Sequence, residues 1–78
     1  MVSRDEWSSL FRAFGRAVRA RREELDLSQE ELGFRSGLDR TYISGVERGV
    51  RNPTLRAVGR LAKALGTKPS RLLAAADR

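Results

Sequence analysis

Apolar side chains recur at three- and four-residue steps through most of this sequence, and no stretch alternates with a period of two over a strand's length. That pattern predicts short amphipathic helices. The first stripe runs through Trp7, Phe11, Phe14, Val18 and Leu25, broken only at Arg22. Start and stop residues divide the rest. Ser3 with Glu6, and Ser28 with Glu31, have the capping-box spacing, in which each side chain satisfies an orphan amide of the other. Asp39 and Thr54 are single caps, and Pro69 suits a first helical position. Gly37, Gly49 and Gly66 follow apolar patterns and suit the left-handed residue that closes a helix. The expectation is an all-α, compact five-helix protein with helices at about 4–25, 29–36, 40–48, 55–65 and 69–76. It is read as one domain over residues 1–78, with residues 1–9 extending the first helix. Beyond the first stripe, the expected core is Leu32, Leu38, Ile43, Val46, Leu55, Val58, Leu61, Ala62, Leu65 and Leu72.

Two charged residues interrupt these stripes. Arg22 falls on the apolar side of the first helix, and at about 100° per residue Glu47 shares the inward side of the third with Ile43 and Val46. A charge withdrawn from water without a partner costs several kcal/mol, so the two are expected to pair as a structural ion pair. The alternative is that one or both reach solvent past the core edge. On the opposite side of the third helix lie Thr41, Ser44, Gly45 and Arg48, with Arg40 and Tyr42 flanking the first turn. Nothing large blocks approach to that face. Gly45 costs about 1 kcal/mol relative to Ala in mid-helix, which implies a close neighbour, either a ligand or another helix.

Composition narrows what such a face meets. The chain has 78 residues, with 16 Lys plus Arg against 10 Asp plus Glu and a formal charge of +6. That balance is the electrostatic footprint of a partner for polyanions. Fourteen of the cations are Arg, whose planar fork meets phosphate or guanine with two hydrogen bonds. No Cys and no His are present, which removes thiolate chemistry, the commonest metal ligand and the commonest general base. With no glycine-rich phosphate loop either, no enzyme, metal or cofactor is expected. The segment MVSRDEWSSLF has charges where a secretory apolar core would lie, and the longest apolar run is Leu72 to Ala76. A cytoplasmic protein with no membrane partner is therefore expected.

Double-stranded DNA is the expected partner, through its major groove. Arg40 suits guanine O6 and N7, the Thr41 methyl suits a thymine methyl, and Ser44 reaches one turn deeper, so these three are candidate base readers. Tyr42, Arg48, Arg51 and Asn52 are candidate phosphate contacts, which position the protein without specifying sequence. Gln29 opens the second helix, whose amino-terminal amides suit an anion, so its amide is a candidate phosphate clamp that also braces Arg40. An ordinary polar first-turn residue is the alternative for Gln29, and a merely solvated surface the alternative for the whole face.

From about Phe14 to Leu73 the chain resembles the phage repressor and Cro type of helix-turn-helix domain, the xenobiotic response element family. The resemblance is carried by LSQEEL at Leu27 to Leu32, Gly37, ERG at Glu47 to Gly49, RNPT at Arg51 to Thr54, LAKALG at Leu61 to Gly66, and Pro69 with Leu72 and Leu73. It implies a repressor-like five-helix fold, a recognition helix in the major groove, residues at Gln29, Arg40, Thr41 and Ser44 on DNA, and an Arg22 to Glu47 pair. Leu38 to Asn52, LDRTYISGVERGVRN, is similar to the controller proteins of restriction-modification systems. Those are small dimers that bind operators ahead of their own and the endonuclease gene, activating at first and repressing as they accumulate. Departures from the family pattern are Gly33, Phe34 and Lys68. The expected function is thus a sequence-specific transcriptional regulator acting as a homodimer on a palindromic operator, with Leu65, Leu72 and Leu73 extending toward the dimer partner. No small-molecule effector is expected. The rival reading is an antitoxin or protein-interaction adaptor with secondary DNA binding.

Overall fold

The computed structural model describes residues 4–77. Over them the chain forms five helices, α1 Arg4–Glu24, α2 Gln29–Ser36, α3 Arg40–Glu47, α4 Leu55–Ala64 and α5 Pro69–Ala76. All lie within one residue of the expected bounds, and no strand occurs among the described residues.

The caps explain this agreement. Ser28 Oγ accepts from the Glu31 amide at 3.0 Å while the Ser28 amide donates to Glu31 Oε1 at 2.9 Å, a complete capping box. Asp39 Oδ1 accepts from the Thr41 amide at 2.7 Å, and Thr54 Oγ1 from the Ala57 amide at 3.0 Å. At Lys68 the side chain caps nothing, and Pro69 alone sets the start of α5. Gly37, Gly49 and Gly66 all have left-handed backbones, with φ of 72°, 76° and 63°. The expected Ser3 cap of α1 lies outside the described residues. One stop was missed: α1 closes at Asp26, which takes a left-handed φ of 56° while the Leu27 amide reaches back to the Arg22 carbonyl at 3.0 Å. Asp tolerates that conformation better than most residues because its short polar side chain bonds locally.

α1 packs on α3 and α5, α2 on α3 and α4, and α4 on α5. The core joins Phe14, Val18, Leu27, Leu32, Ile43, Val46, Val58, Leu61, Ala62, Leu65, Leu72 and Ala76. Four expected core residues do not belong to it. Leu25 is displaced by the Asp26 turn, which buries Leu27 in its place. Leu55, the first residue of α4, is 82% exposed although Ala57 and Val58 in the same turn are buried, and Trp7 is 48% exposed at the outer end of α1. Phe11 is partly buried outside the core, stacked on Trp7, and Leu38 is partly buried against the core edge. The molecule measures 36 × 22 × 20 Å, and a helix of 21 residues is about 31 Å long, so α1 sets the long axis.

Two glycines let the helices close up. A Cβ at Gly15 would sit 2.3 Å from the Val46 carbonyl oxygen, and one at Gly33 would sit 2.9 Å from that of Leu38. The first permits α1 to lie directly against α3. The second tightens the turn between α2 and α3, which accounts for the departure at position 33. Phe34, the neighbouring departure, is 91% exposed and adds nothing to the core.

Candidate nucleic-acid interface

The orientation of α3 is fixed by one carboxylate. Glu47 Oε2 accepts from Arg22 Nε at 2.7 Å and Glu47 Oε1 from Arg22 Nη2 at 3.0 Å, a two-pronged pair of the kind Arg forms best. The Arg22 side chain is 12% exposed and that of Glu47 only 4%. Arg22 Nη1 also donates to the Leu27 carbonyl at 2.8 Å, so one guanidinium ties α1, the following turn and α3. The hydrogen bond to Glu47 raises the Arg22 pKa above its ordinary value, outweighing the opposing effect of burial. No buried side-chain nitrogen or oxygen among the described residues is left without a partner. The expected pair is present, and neither charge escapes to solvent.

Gln29 departs from its expected bracing role. Its Nε2 donates to Glu47 Oε1 at 3.0 Å, so in this structure it braces Glu47, not Arg40. α2 and α3 are thereby locked at their shared end. Nothing in the periodicity of either helix signals this contact, because it joins residues 18 apart in sequence.

With Ile43 and Val46 buried, the outward side of α3 is what the fold leaves uncovered. Arg40, Thr41 and Arg48 are exposed, and Ser44 is partly so. Arg40 and Arg48 form no ion pair among the described residues. Tyr42 is partly buried, its body against the core edge. Within the chain, the close neighbour of Gly45 is a side chain from the following loop and not another helix. A Cβ there would lie 2.7 Å from Arg51 Cγ, so the arginine stem crosses the glycine. Its guanidinium lies 5.6 Å from the centre of the Tyr42 ring, within the range of a cation-π contact. Arg51 therefore comes from the loop after α3 but rests on α3 itself. Asn52 is exposed next to it. All eight candidate residues lie on α3, at the start of α2 or in the loop after α3.

This arrangement presents hydrogen-bond donors, a methyl group and cations on a helix narrow enough for the major groove. Among the described residues no cluster of three or more His, Cys, Asp or Glu side chains is placed to hold a metal ion. No helix among them is long and apolar enough to cross a membrane.

Comparison with known proteins follows the same lines. The helix-turn-helix family matches residues 18–72. Control protein C.BamHI of Bacillus amyloliquefaciens is 48% identical over 61 residues, 77% of this chain and 75% of that protein. The crystal structure of the restriction-modification controller protein C.AhdI from Aeromonas hydrophila is similar with a TM-score of 0.78 and 48% identity, over 80% of this chain and 94% of that one. A tetramer of the controller protein C.Esp1396I in complex with its natural 35 base-pair operator gives a TM-score of 0.77 at 32% identity, over 88% of this chain and 96% of that one.

Proposed function

The chain belongs to the helix-turn-helix family, and from that premise we propose that it is a sequence-specific, DNA-binding transcriptional regulator of the restriction-modification controller kind. It acts as a homodimer that sets α3 of each subunit into successive major grooves of a palindromic operator, with half-sites about 10 bp or a multiple of that apart. It is a binding protein and not a catalyst, and its place is the cytoplasm, on nucleoid DNA. The observation that carries this reading is the bare outward side of α3, held rigidly by the Arg22, Glu47 and Gln29 bonds from behind. In this reading Arg40, Thr41 and Ser44 meet base edges, while Tyr42, Arg48, Arg51 and Asn52 meet phosphates. Gln29 holds the α2 amino end against the backbone, and its own contact with Glu47 keeps that end in register with α3.

Regulation follows from occupancy. A dimer seated on the promoter excludes or recruits polymerase according to where its operator lies, and chain concentration sets the outcome through dimerisation.

The test is selection of bound sites from random duplexes by the parent protein and by Arg40→Ala. The parent should return one palindromic site. The variant should lose about 1–3 kcal/mol and relax its preference at one base pair of each half-site. A random pool returned without a preferred site would overturn the reading.

A further inference from the structure

The first turns of α1 precede the family match, which starts at residue 18. They carry Trp7, whose ring stacks on Phe11 with centroids 6.3 Å apart and planes at 20°. The core leaves the indole half exposed. Trp7, Phe11 and Arg12 form one wall of an open cleft of about 790 Å³, and Arg48, Val50 and Asn52, beyond the end of α3, form the other. The walls meet at Gly49, where a Cβ would lie 2.5 Å from Arg12 Cγ and 2.7 Å from Arg12 Cα. Only glycine allows α1 and the loop this proximity.

The chemistry of the cleft is one-sided. No carboxylate lines it. Neither Arg12 nor Arg48 makes an ion pair among the described residues. A second copy seated there would bring four guanidinium groups together, and an apolar peptide would strip water from two unpaired cations, each at a cost of several kcal/mol. A sugar-phosphate backbone meets both walls: its phosphates answer the arginines and the Asn52 amide, and its deoxyribose face answers the indole and Val50. The cleft is also continuous with Arg48 and Asn52, already assigned to phosphates above.

We propose that this cleft seats the backbone of operator DNA beyond the bases that α3 reads, with Arg12 adding a phosphate contact and Trp7 packing on the adjoining sugar. The proposal rests on the DNA-binding reading above and extends the footprint to a part of the chain outside the family match.

Trp7 is the sole tryptophan, so emission excited where tyrosine does not absorb reports on this cleft alone. The full chain is titrated with its selected duplex in two lengths, one trimmed to the half-sites and one with flanks of several base pairs. Trp7 emission should shift with the flanked duplex and stay nearly constant with the trimmed one. Arg12→Gln keeps the stem over Gly49 and removes the charge. It should reduce the slope of log affinity against log salt by about 0.9 per subunit, so that going from about 50 to about 200 mM salt costs the variant dimer roughly tenfold less affinity than the parent. Emission unchanged under saturating flanked duplex, or an unaltered salt slope in the variant, overturns the proposal while leaving DNA binding intact. Failure to bind any duplex overturns both.

Discussion

Glu47 shows how much can depend on one side chain. It takes three hydrogen bonds from two residues on two other helices, and it is almost wholly withdrawn from solvent. Glu47→Ala leaves the Arg22 guanidinium buried with only the Leu27 carbonyl as partner and frees the Gln29 amide. Breaking a buried pair from one side typically costs about 3–5 kcal/mol. The variant should therefore show a large fall in denaturant midpoint, with a smaller loss of affinity per folded molecule, since no base reader has been touched. An unchanged midpoint would show that the pair holds nothing together. Gly45 gives the opposite case. Alanine there gains about 1 kcal/mol of helix propensity but places a methyl group on the Arg51 stem. Because Arg51 is an exposed side chain from a loop, it can swing away, losing only the contact with Tyr42, worth about 0.5–1 kcal/mol at an exposed site. Gly45→Ala should melt within about 1 kcal/mol of the parent yet bind operator more weakly, as a melting curve and a gel-shift titration on the same sample would show.

At the scale of elements, the caps were legible because capping is local: Ser28, Asp39, Thr54 and three glycines act within four residues of themselves. The end of α1 was legible to within one residue, but the residue that closes it was not, because a left-handed Asp26 has no distinctive spelling. Periodicity also identified the buried faces of α3 and α4, but it reports a face and not how far a neighbour extends along it. Leu55 and Trp7 lie on correct faces at uncovered ends. The Arg22 to Glu47 bond could be read because each residue breaks its own stripe. Arg51 on Gly45, and Gln29 on Glu47, could not, since each joins residues on separate elements whose relative placement only the packed molecule defines. The capping box of α2 also makes a prediction about acid. Hydrogen bonds from the Ser28 backbone and side chain hold Glu31 below the usual glutamate pKa. A carboxylate depressed in the folded state adds stability that is complete above its unfolded pKa, near 4.3, and is lost as pH falls through the lower folded value. Glu31→Gln retains a box-competent side chain without the titration. Melting temperatures of parent and variant should thus converge as pH drops from about 6 to about 3, and a gap independent of pH would show that Glu31 is not engaged in solution.

For the whole molecule, charge and size bear on how it assembles. Each subunit carries a formal +6, so two copies repel, and an apolar contact must overcome that repulsion for a dimer to form. Of the three leucines expected to reach a partner, Leu65 and Leu72 are buried in their own subunit at 0% and 3% exposure, and Leu73 on α5 remains available at 45%. Leu73→Glu tests that face cleanly. The residue contributes little to its own core, so the variant should fold and melt like the parent at low concentration, where both are monomers. It should sediment as a monomer at concentrations where the parent is dimeric. Its operator affinity should fall by about 10²-fold or more, because two linked half-site contacts become two independent ones. Raising salt should separate the steps: it screens repulsion between subunits and favours the parent dimer, while weakening every phosphate contact. The parent should thus show stronger self-association and weaker DNA binding in the same buffer. A Leu73→Glu protein that still sediments as a dimer would move the partner face off α5, to an exposed apolar side chain such as Leu55 or Phe34.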